Sequence, residues 1–74
     1  MKTEYKYLKF VQLESSGKTS KWNCYNLHYG EVLGQVKWNS QWRQYCYFPT
    51  MQAMYSSGCL NDIADFIEQL KSNK

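Results

Sequence analysis

A chain of 74 residues is long enough for one domain and too short for two. Aromatic residues make up 18% of it and charged residues only 20%, which excludes a disordered, solvating chain. The net charge of +3 is mild and the apolar runs span only a few residues, which excludes a membrane-spanning helix and predicts one domain over residues 1–74.

Four segments have the composition and alternation of β-strands. Residues 5–14 are rich in aromatic and branched side chains, and residues 20–28 alternate polar and apolar side chains. Residues 32–38 and 42–48 follow after short turns, and Pro49 ends the last segment because it cannot donate to a strand ladder. The pattern predicts an antiparallel meander of three or four strands, depending on whether the first strand joins the same sheet.

The spacing of apolar residues changes after the fourth segment. Between residues 60 and 72 they recur at helical intervals, with Phe66 widening the stripe formed by Leu60, Ile63, Ala64, Ile67 and Leu70. This predicts one amphipathic helix packed on one face of the sheet. The expected fold class is therefore α+β.

One helix can cover only one face of a sheet, so the second face must meet solvent or a partner. Strand alternation assigns the more apolar set to the helix side, namely Val36, Trp38, Cys46 and Phe48. The other face then receives cations mixed with tyrosines: Lys21, Tyr25, Lys37, Arg43, Tyr45 and Tyr47. A slip of one residue in a strand would exchange the two sets.

Three interpretations of this basic aromatic face stay open. Cations neutralise phosphates and aromatic rings stack on bases, which suits nucleic acid, either DNA or RNA. Tyrosine and arginine also anchor protein interfaces, which suits a protein partner or a homodimer. Tyrosines can also simply cover a solvated sheet, and lysines can keep its edges unpaired. Residues 1–50 carry a net +4 and residues 51–74 a net −1, so the domain is expected to have a positive side.

The sequence predicts no enzyme, no metal site and no cofactor. His28, the single histidine, is expected at an exposed strand end, and the sequence does not place it near any cysteine that would need a general base. The three cysteines, Cys24, Cys46 and Cys59, are odd in number and widely spaced, which disfavours a disulfide framework and a zinc site with His28. Free cysteines, together with first residues that lack a secretory signal, predict a cytoplasmic protein without a membrane partner.

A hairpin pattern and a helix pattern cover about half of the chain. The hairpin has the form G-x-[IV]-K-W, a turn, and W-R-x-Y-x-F-x-P, carried here by Gly34, Val36, Lys37, Trp38, Trp42, Arg43, Tyr45, Tyr47 and Pro49. The helix pattern L-x-x-I-x-x-F-I is carried by Leu60, Ile63, Phe66 and Ile67. In these segments the chain resembles a type of small protein of bacteriophages and prophage-bearing bacteria, to which no activity is assigned.

The order of strands followed by one helix is also similar to the arm-type DNA-binding domains of phage integrases, although those usually have three strands. The phage resemblance implies either an accessory that binds nucleic acid or an inhibitor of a host protein, such as a defence component. Together with the basic aromatic face, it leads to the hypothesis of a non-enzymatic binding module for nucleic acid. The alternative is a protein-binding or self-associating module that uses the same face.

Overall fold

The strand-like and helix-like segments form four strands and one helix in a computed structural model, which describes residues 1–72 apart from the side chains of Ser16 and Ser72. The elements are β1 (Leu8–Ser16), β2 (Thr19–Asn26), β3 (Val32–Asn39), β4 (Gln44–Pro49) and α1 (Ser57–Ser72). Each strand pairs antiparallel with the next in the order β1-β2-β3-β4, so the first strand joins the same sheet. The α+β prediction is confirmed.

β1 begins three residues later than predicted because the chain turns at residues 5–7. The Tyr5 N–H donates to the Leu8 carbonyl at 2.8 Å, and the Phe10 N–H donates to the Thr3 carbonyl at 2.8 Å. The segment before the turn therefore lies back along β1, where Glu4 forms an isolated bridge with Lys9. Its aromatic composition is typical of a strand, but Tyr5 is buried in the core instead of following the strand.

The N-terminal segment is tied to α1 by polar side chains. The Tyr5 hydroxyl donates to Oδ2 of Asp65 at 2.7 Å. The Gln69 side chain accepts from the Lys2 N–H at 2.8 Å and donates from Nε2 to the Lys2 carbonyl and to Tyr5 Oη at 2.9 and 2.8 Å. These bonds join residues sixty or more positions apart and so hold the helix over the start of the sheet.

α1 begins at Ser57 rather than at residue 60 because Ser56 caps it. The Ser56 Oγ accepts the Cys59 N–H at 3.2 Å, and the Ser56 carbonyl accepts the Leu60 N–H at 3.0 Å. Serine at this position satisfies a backbone donor that an unfinished first turn leaves without a partner. In the described part of the chain, no helix is both long and apolar enough to cross a membrane.

Aromatic rings from three elements form the centre of the core. The ring of Phe66 in α1 stacks on Phe10 of β1, with centroids 4.0 Å apart and planes 3° apart, and meets the edge of Trp22 in β2 at 5.1 Å. Cys24, Val36 and Phe66 are fully buried. The helix stripe that faces the sheet runs through Cys59, Ile63, Phe66 and Leu70, which leaves the predicted core residues Leu60 and Ala64 exposed.

The connection from β4 to α1 is anchored on a bulge in β3. The register between β2 and β3 shifts after Cys24, and the extra residue, Leu33, turns into the core. Its carbonyl accepts the Thr50 N–H at 2.9 Å, the Thr50 hydroxyl at 3.1 Å and the Tyr55 hydroxyl at 2.6 Å. The segment that leads into the helix is thereby fixed to the helix side of the sheet.

Phe66→Ala should lower the free energy of unfolding by about 3–5 kcal/mol, because it removes the ring that Phe10 and Trp22 contact. Leu60→Ala, a similar truncation at a side chain that is 54% exposed, should cost less than about 1 kcal/mol. Urea unfolding of both variants measures the difference. Equal losses would contradict the stripe assigned to α1.

Gly34→Ala should destabilise the fold by at least about 1–3 kcal/mol. A Cβ at Gly34 would lie 2.5 Å from Tyr47 Oη and 2.7 Å from the Phe48 carbonyl oxygen, which is part of the backbone and cannot move away. Gly58→Ala is the matched control, since its nearest neighbour would be Ser56 Oγ at 3.7 Å and alanine favours a helix. In thermal melts, the melting temperature of Gly34→Ala should lie below that of the parent chain and that of Gly58→Ala above it. An unchanged melting temperature in Gly34→Ala would contradict the close approach of Tyr47 and the Phe48 carbonyl to Gly34.

Candidate functional site

The sheet face opposite α1 carries the candidate site. Strand pairing places on it the following side chains, here called the open face: Lys9, Val11, Glu14, Lys21, Asn23, Tyr25, Gln35, Lys37, Cys46 and Phe48. Every one of them keeps part of its surface exposed, whereas the centre of the opposite face is buried under the helix. An uncovered face with polar, basic and aromatic side chains is available to a partner without any change in the fold.

The open face has a net positive charge. Its three lysines face one carboxylate, Glu14, whose Oε1 lies 4.0 Å from Lys21 Nζ. Lys37 Nζ lies 4.6 Å from the centroid of the Phe48 ring, and Lys9 is exposed opposite Tyr25. The net charge of this surface is therefore +2, and the exposed pair of Lys21 and Glu14 contributes little to stability.

Side-chain amides connect the middle of the open face. Gln35 Nε2 donates to Asn23 Oδ1 at 3.0 Å, and Asn23 Nδ2 donates to Tyr25 Oη at 3.0 Å. Asn23 pairs with Val11 on one side and with Gln35 on the other, and Gln35 in turn pairs with Phe48. The result is a row of side chains across all four strands, with the Phe48 ring at one end and the oriented amides of Asn23 and Gln35 in its centre.

Of the six side chains predicted to form one binding face, three share the open face. Lys21, Tyr25 and Lys37 lie there as predicted. The placement of Tyr45 and Tyr47 on this face is wrong: they pair with Trp38 and Val36 and pack against the core on the helix side.

Arg43, the sixth of these side chains, lies in the loop between β3 and β4 and not on a strand face. Cys46 and Phe48 were predicted to lie under the helix. They lie on the open face instead, in the places predicted for Tyr45 and Tyr47. Phe48 is thus a candidate stacking residue that the sequence pattern assigned to the core.

The reason for this exchange is the length of the β3–β4 loop. A three-residue turn would pair Trp38 with Trp42, but the chain uses four loop residues, 40–43, and pairs Trp38 with Tyr45. Asn39 holds this loop, because its Oδ1 accepts the N–H groups of Gln41 and Trp42, each at 2.9 Å. The partner of Trp38 thus moves by three residues, and a shift by an odd number of residues reverses the alternation of β4.

The backbone of Arg43 is left-handed, with φ of 57°. Its N–H donates to the Asn39 carbonyl at 2.7 Å, which closes the loop. For a residue with a Cβ this conformation costs about 1 kcal/mol or more, and glycine or asparagine would adopt it at lower cost. The Arg43 side chain is exposed at this end of the sheet.

Tyr47 and Tyr55 use their hydroxyls inside the fold. Because the Tyr55 hydroxyl donates to Leu33, the 2.9 Å bond between the two tyrosines has Tyr47 as its donor. Burial, followed by this bond, raises the pKa of Tyr47 well above its ordinary value, and burial also raises that of Tyr55. Burial raises the pKa of the neighbouring Cys24 thiol to about 11. These groups stay neutral and are not available for stacking on a ligand.

No three residues among histidine, cysteine, aspartate and glutamate come together within residues 1–72 in a way that could hold a metal ion. Cys24, Cys46 and Cys59 are free thiols, and only Cys24 is fully buried. His28 lies exposed at the β2–β3 turn, with its ring 6.1 Å from that of Tyr7. The absence of catalytic activity stays a prediction.

Comparison of the chain with protein-family models, curated proteins and solved structures yields no match. The resemblance to phage proteins therefore stays a prediction.

Alkaline pH should destabilise the fold through Tyr47. Its folded pKa is raised above the ordinary value of about 10, so its contribution is complete below that pH and is lost as the pH rises further. The drop in unfolding free energy between pH 8 and pH 11 should be smaller in Tyr47→Phe than in the parent chain. Tyr29→Phe, at a largely exposed side chain, should show the parental drop in the same urea titrations. An unchanged drop in Tyr47→Phe would contradict the buried hydroxyl.

Proposed function

We propose that the chain is a non-enzymatic binding module that takes single-stranded nucleic acid on the open face. The observation that carries this proposal is an uncovered sheet surface with a net charge of +2 in which rings and oriented amides lie between lysines. Lysines neutralise phosphates, rings stack on bases, and amides bond to the edges of bases.

Lys37 and Phe48 form a ready site for one base. In the unbound chain the ammonium group of Lys37 lies over the ring of Phe48 at 4.6 Å. A base that stacks on this ring displaces the ammonium group. Because the lysine stem is flexible, the ammonium group can then reach the adjoining phosphate. The same movement exposes the Phe48 ring and neutralises a phosphate of the nucleic acid, so base stacking and charge pairing are coupled.

A single strand fits better than a duplex. The outward side of α1 carries Asp65 and Glu68, which repel phosphates, and the helix is held on the sheet by Phe66. It therefore has neither the charge nor the freedom of a helix that enters a major groove. Unpaired bases can instead lie flat on an open sheet, as stacking requires.

The alternative is a protein partner, such as a host protein, or a second copy of the chain on the same face. Exposed apolar side chains at the margins of the sheet favour it, since Val11, Leu13 and Val32 are 38%, 45% and 41% exposed. Such an interface depends on apolar burial and responds weakly to salt. Salt dependence therefore separates the two functions.

The test is a titration of labelled single-stranded and double-stranded DNA and RNA by fluorescence anisotropy at low and near-physiological salt. We expect single strands to bind with a steep salt slope. Lys9→Gln combined with Lys37→Gln should weaken binding and flatten that slope by about 1–2, since each lost phosphate contact contributes about 1.

Lys2→Gln combined with Lys6→Gln is the matched control, because it removes the same charge away from the open face. Far-ultraviolet circular dichroism should be unchanged in both double variants. Equal weakening by the two double variants would reduce the effect to net charge. A lack of binding at low salt would refute the proposed function and favour a protein partner.

A further inference from the structure

A groove lies at one end of the sheet, on the helix side. The β1–β2 turn, the β3–β4 loop and the end of α1 enclose about 960 Å³. Its lining includes Lys18, Trp38, Arg43, Tyr45, Leu70 and Lys71. This space is separate from the open face, because Trp38 and Tyr45 point to the opposite side of their strands.

The floor of the groove is aromatic and held in place. The rings of Trp38 and Tyr45 meet edge to face, with centroids 5.5 Å apart. Tyr45 Oη accepts the Ser20 N–H at 3.1 Å, which fixes the orientation of its ring. Trp38 is 42% exposed although it belongs to the helix-side row of β3, so part of its indole is available to a planar ligand.

The rim of the groove is basic. Lys71 is paired with Glu68, since Nζ and Oε1 are 3.1 Å apart. For Lys18 and Arg43, no carboxylate in the described part of the chain lies within ion-pair distance. Two unpaired cations beside an exposed ring match the two parts of a nucleotide, a phosphate and a planar base.

The backbone of Arg43 supports a role for its guanidinium group. The residue is held in a left-handed conformation that glycine or asparagine adopts more readily. Strain that persists at an exposed loop position points to a use for the side chain there. Arginine offers phosphate a planar pair of donors, which neither of those residues could supply.

The groove is continuous with the open face around the end of the sheet. Trp22 pairs with Val36, so Lys21 and Lys37, one residue nearer to this end, extend from the open face beside the turns that enclose the groove. A strand bound across the open face meets these two lysines and then Lys18 and Arg43 as it passes the end. The cations thus mark one path.

We infer that the groove holds one nucleotide of a bound single strand, with its base on Trp38 and its phosphate on Arg43 and Lys18. This inference rests on the proposed function and extends it from one face of the sheet to the groove behind it. Tyr45 acts as a positioning residue that keeps the indole edge in place. A site for the last nucleotide at the end of the path gives the strand a preferred position on the module.

The experiment uses two versions of a ten-nucleotide strand, each with a single 5-iodouridine, at one end or at the other. Each version is bound to the full chain and irradiated. Mass spectrometry of the products should identify crosslinks to the segment 38–45 from one end of the strand. In parallel, Trp38→Leu should weaken binding of the unmodified strand by about 5- to 150-fold, the range of one stacked base. Trp42→Leu, the same change in a more exposed residue of the adjoining β3–β4 loop, should alter affinity by less than about twofold.

Arg43→Asn is a second variant that keeps the left-handed backbone and removes the charge, so it decides the outcome if Trp38→Leu does not fold. We expect it to weaken binding and to flatten the salt slope by about 1.

Three results would overturn the inference. The first is crosslinks confined to Tyr25 and Phe48, together with parental affinity in Trp38→Leu and Arg43→Asn. This result would leave the proposed function intact and show that the groove does not bind the strand. Equal weakening by Trp38→Leu and Trp42→Leu would remove the assignment of the base to Trp38. No binding of any strand would refute the inference and the proposed function together.

Discussion

The contact of Phe66 with Phe10 and Trp22 determines which face of the sheet is covered and therefore which face is left for a partner. One helix of sixteen residues can bury one side of four strands and no more. Because Phe66 stacks on Phe10 and meets the edge of Trp22, α1 lies over the side that also holds Cys24 and Val36. The polar and basic row of β2, with Lys21, Asn23 and Tyr25, is then turned outward. Packing on one side thus creates the candidate site on the other.

Backbone approach and side-chain hydroxyls fix the fourth strand against the third. The absence of a side chain at Gly34 lets Tyr47 reach across β3 to Tyr55, whose hydroxyl ends on the Leu33 carbonyl. This chain of hydrogen bonds joins the bulge, the last strand and the segment before the helix. A partly buried network with every member bonded favours one arrangement of the strands over its one-residue slips, since a slip would take the partners of these hydroxyls away. The orientation of Phe48 toward the open face follows from the same arrangement.

The sequence was sufficient to predict the strands, the helix and the α+β fold, because alternation and helical spacing are local properties. It was insufficient where a boundary depended on contacts elsewhere in the chain. Tyr5 has a strand-like composition, but its hydroxyl bonds to Asp65 sixty residues away, so the first strand starts later. The side chains of Lys21, Tyr25 and Lys37 could be placed from alternation alone. Those of Tyr45, Tyr47 and Phe48 could not, because their face depends on whether the loop after Asn39 has three residues or four. The capacity of Asn39 to hold a four-residue loop was the one local signal for this.

Stability and recognition are carried by different side chains in this fold. On the helix side, the tyrosines bond to groups within the chain: Tyr45 to Ser20, and Tyr47 to Tyr55. On the open face, the lysines and Phe48 make only contacts that a ligand can replace, such as the ammonium group of Lys37 over the Phe48 ring. Exposed ion pairs and cation–π contacts of this kind contribute about 1 kcal/mol or less each. The charged surface can therefore exchange its internal contacts for phosphates and bases without loosening the core. For a chain of 74 residues with a small core, this separation allows binding residues to change without endangering the fold.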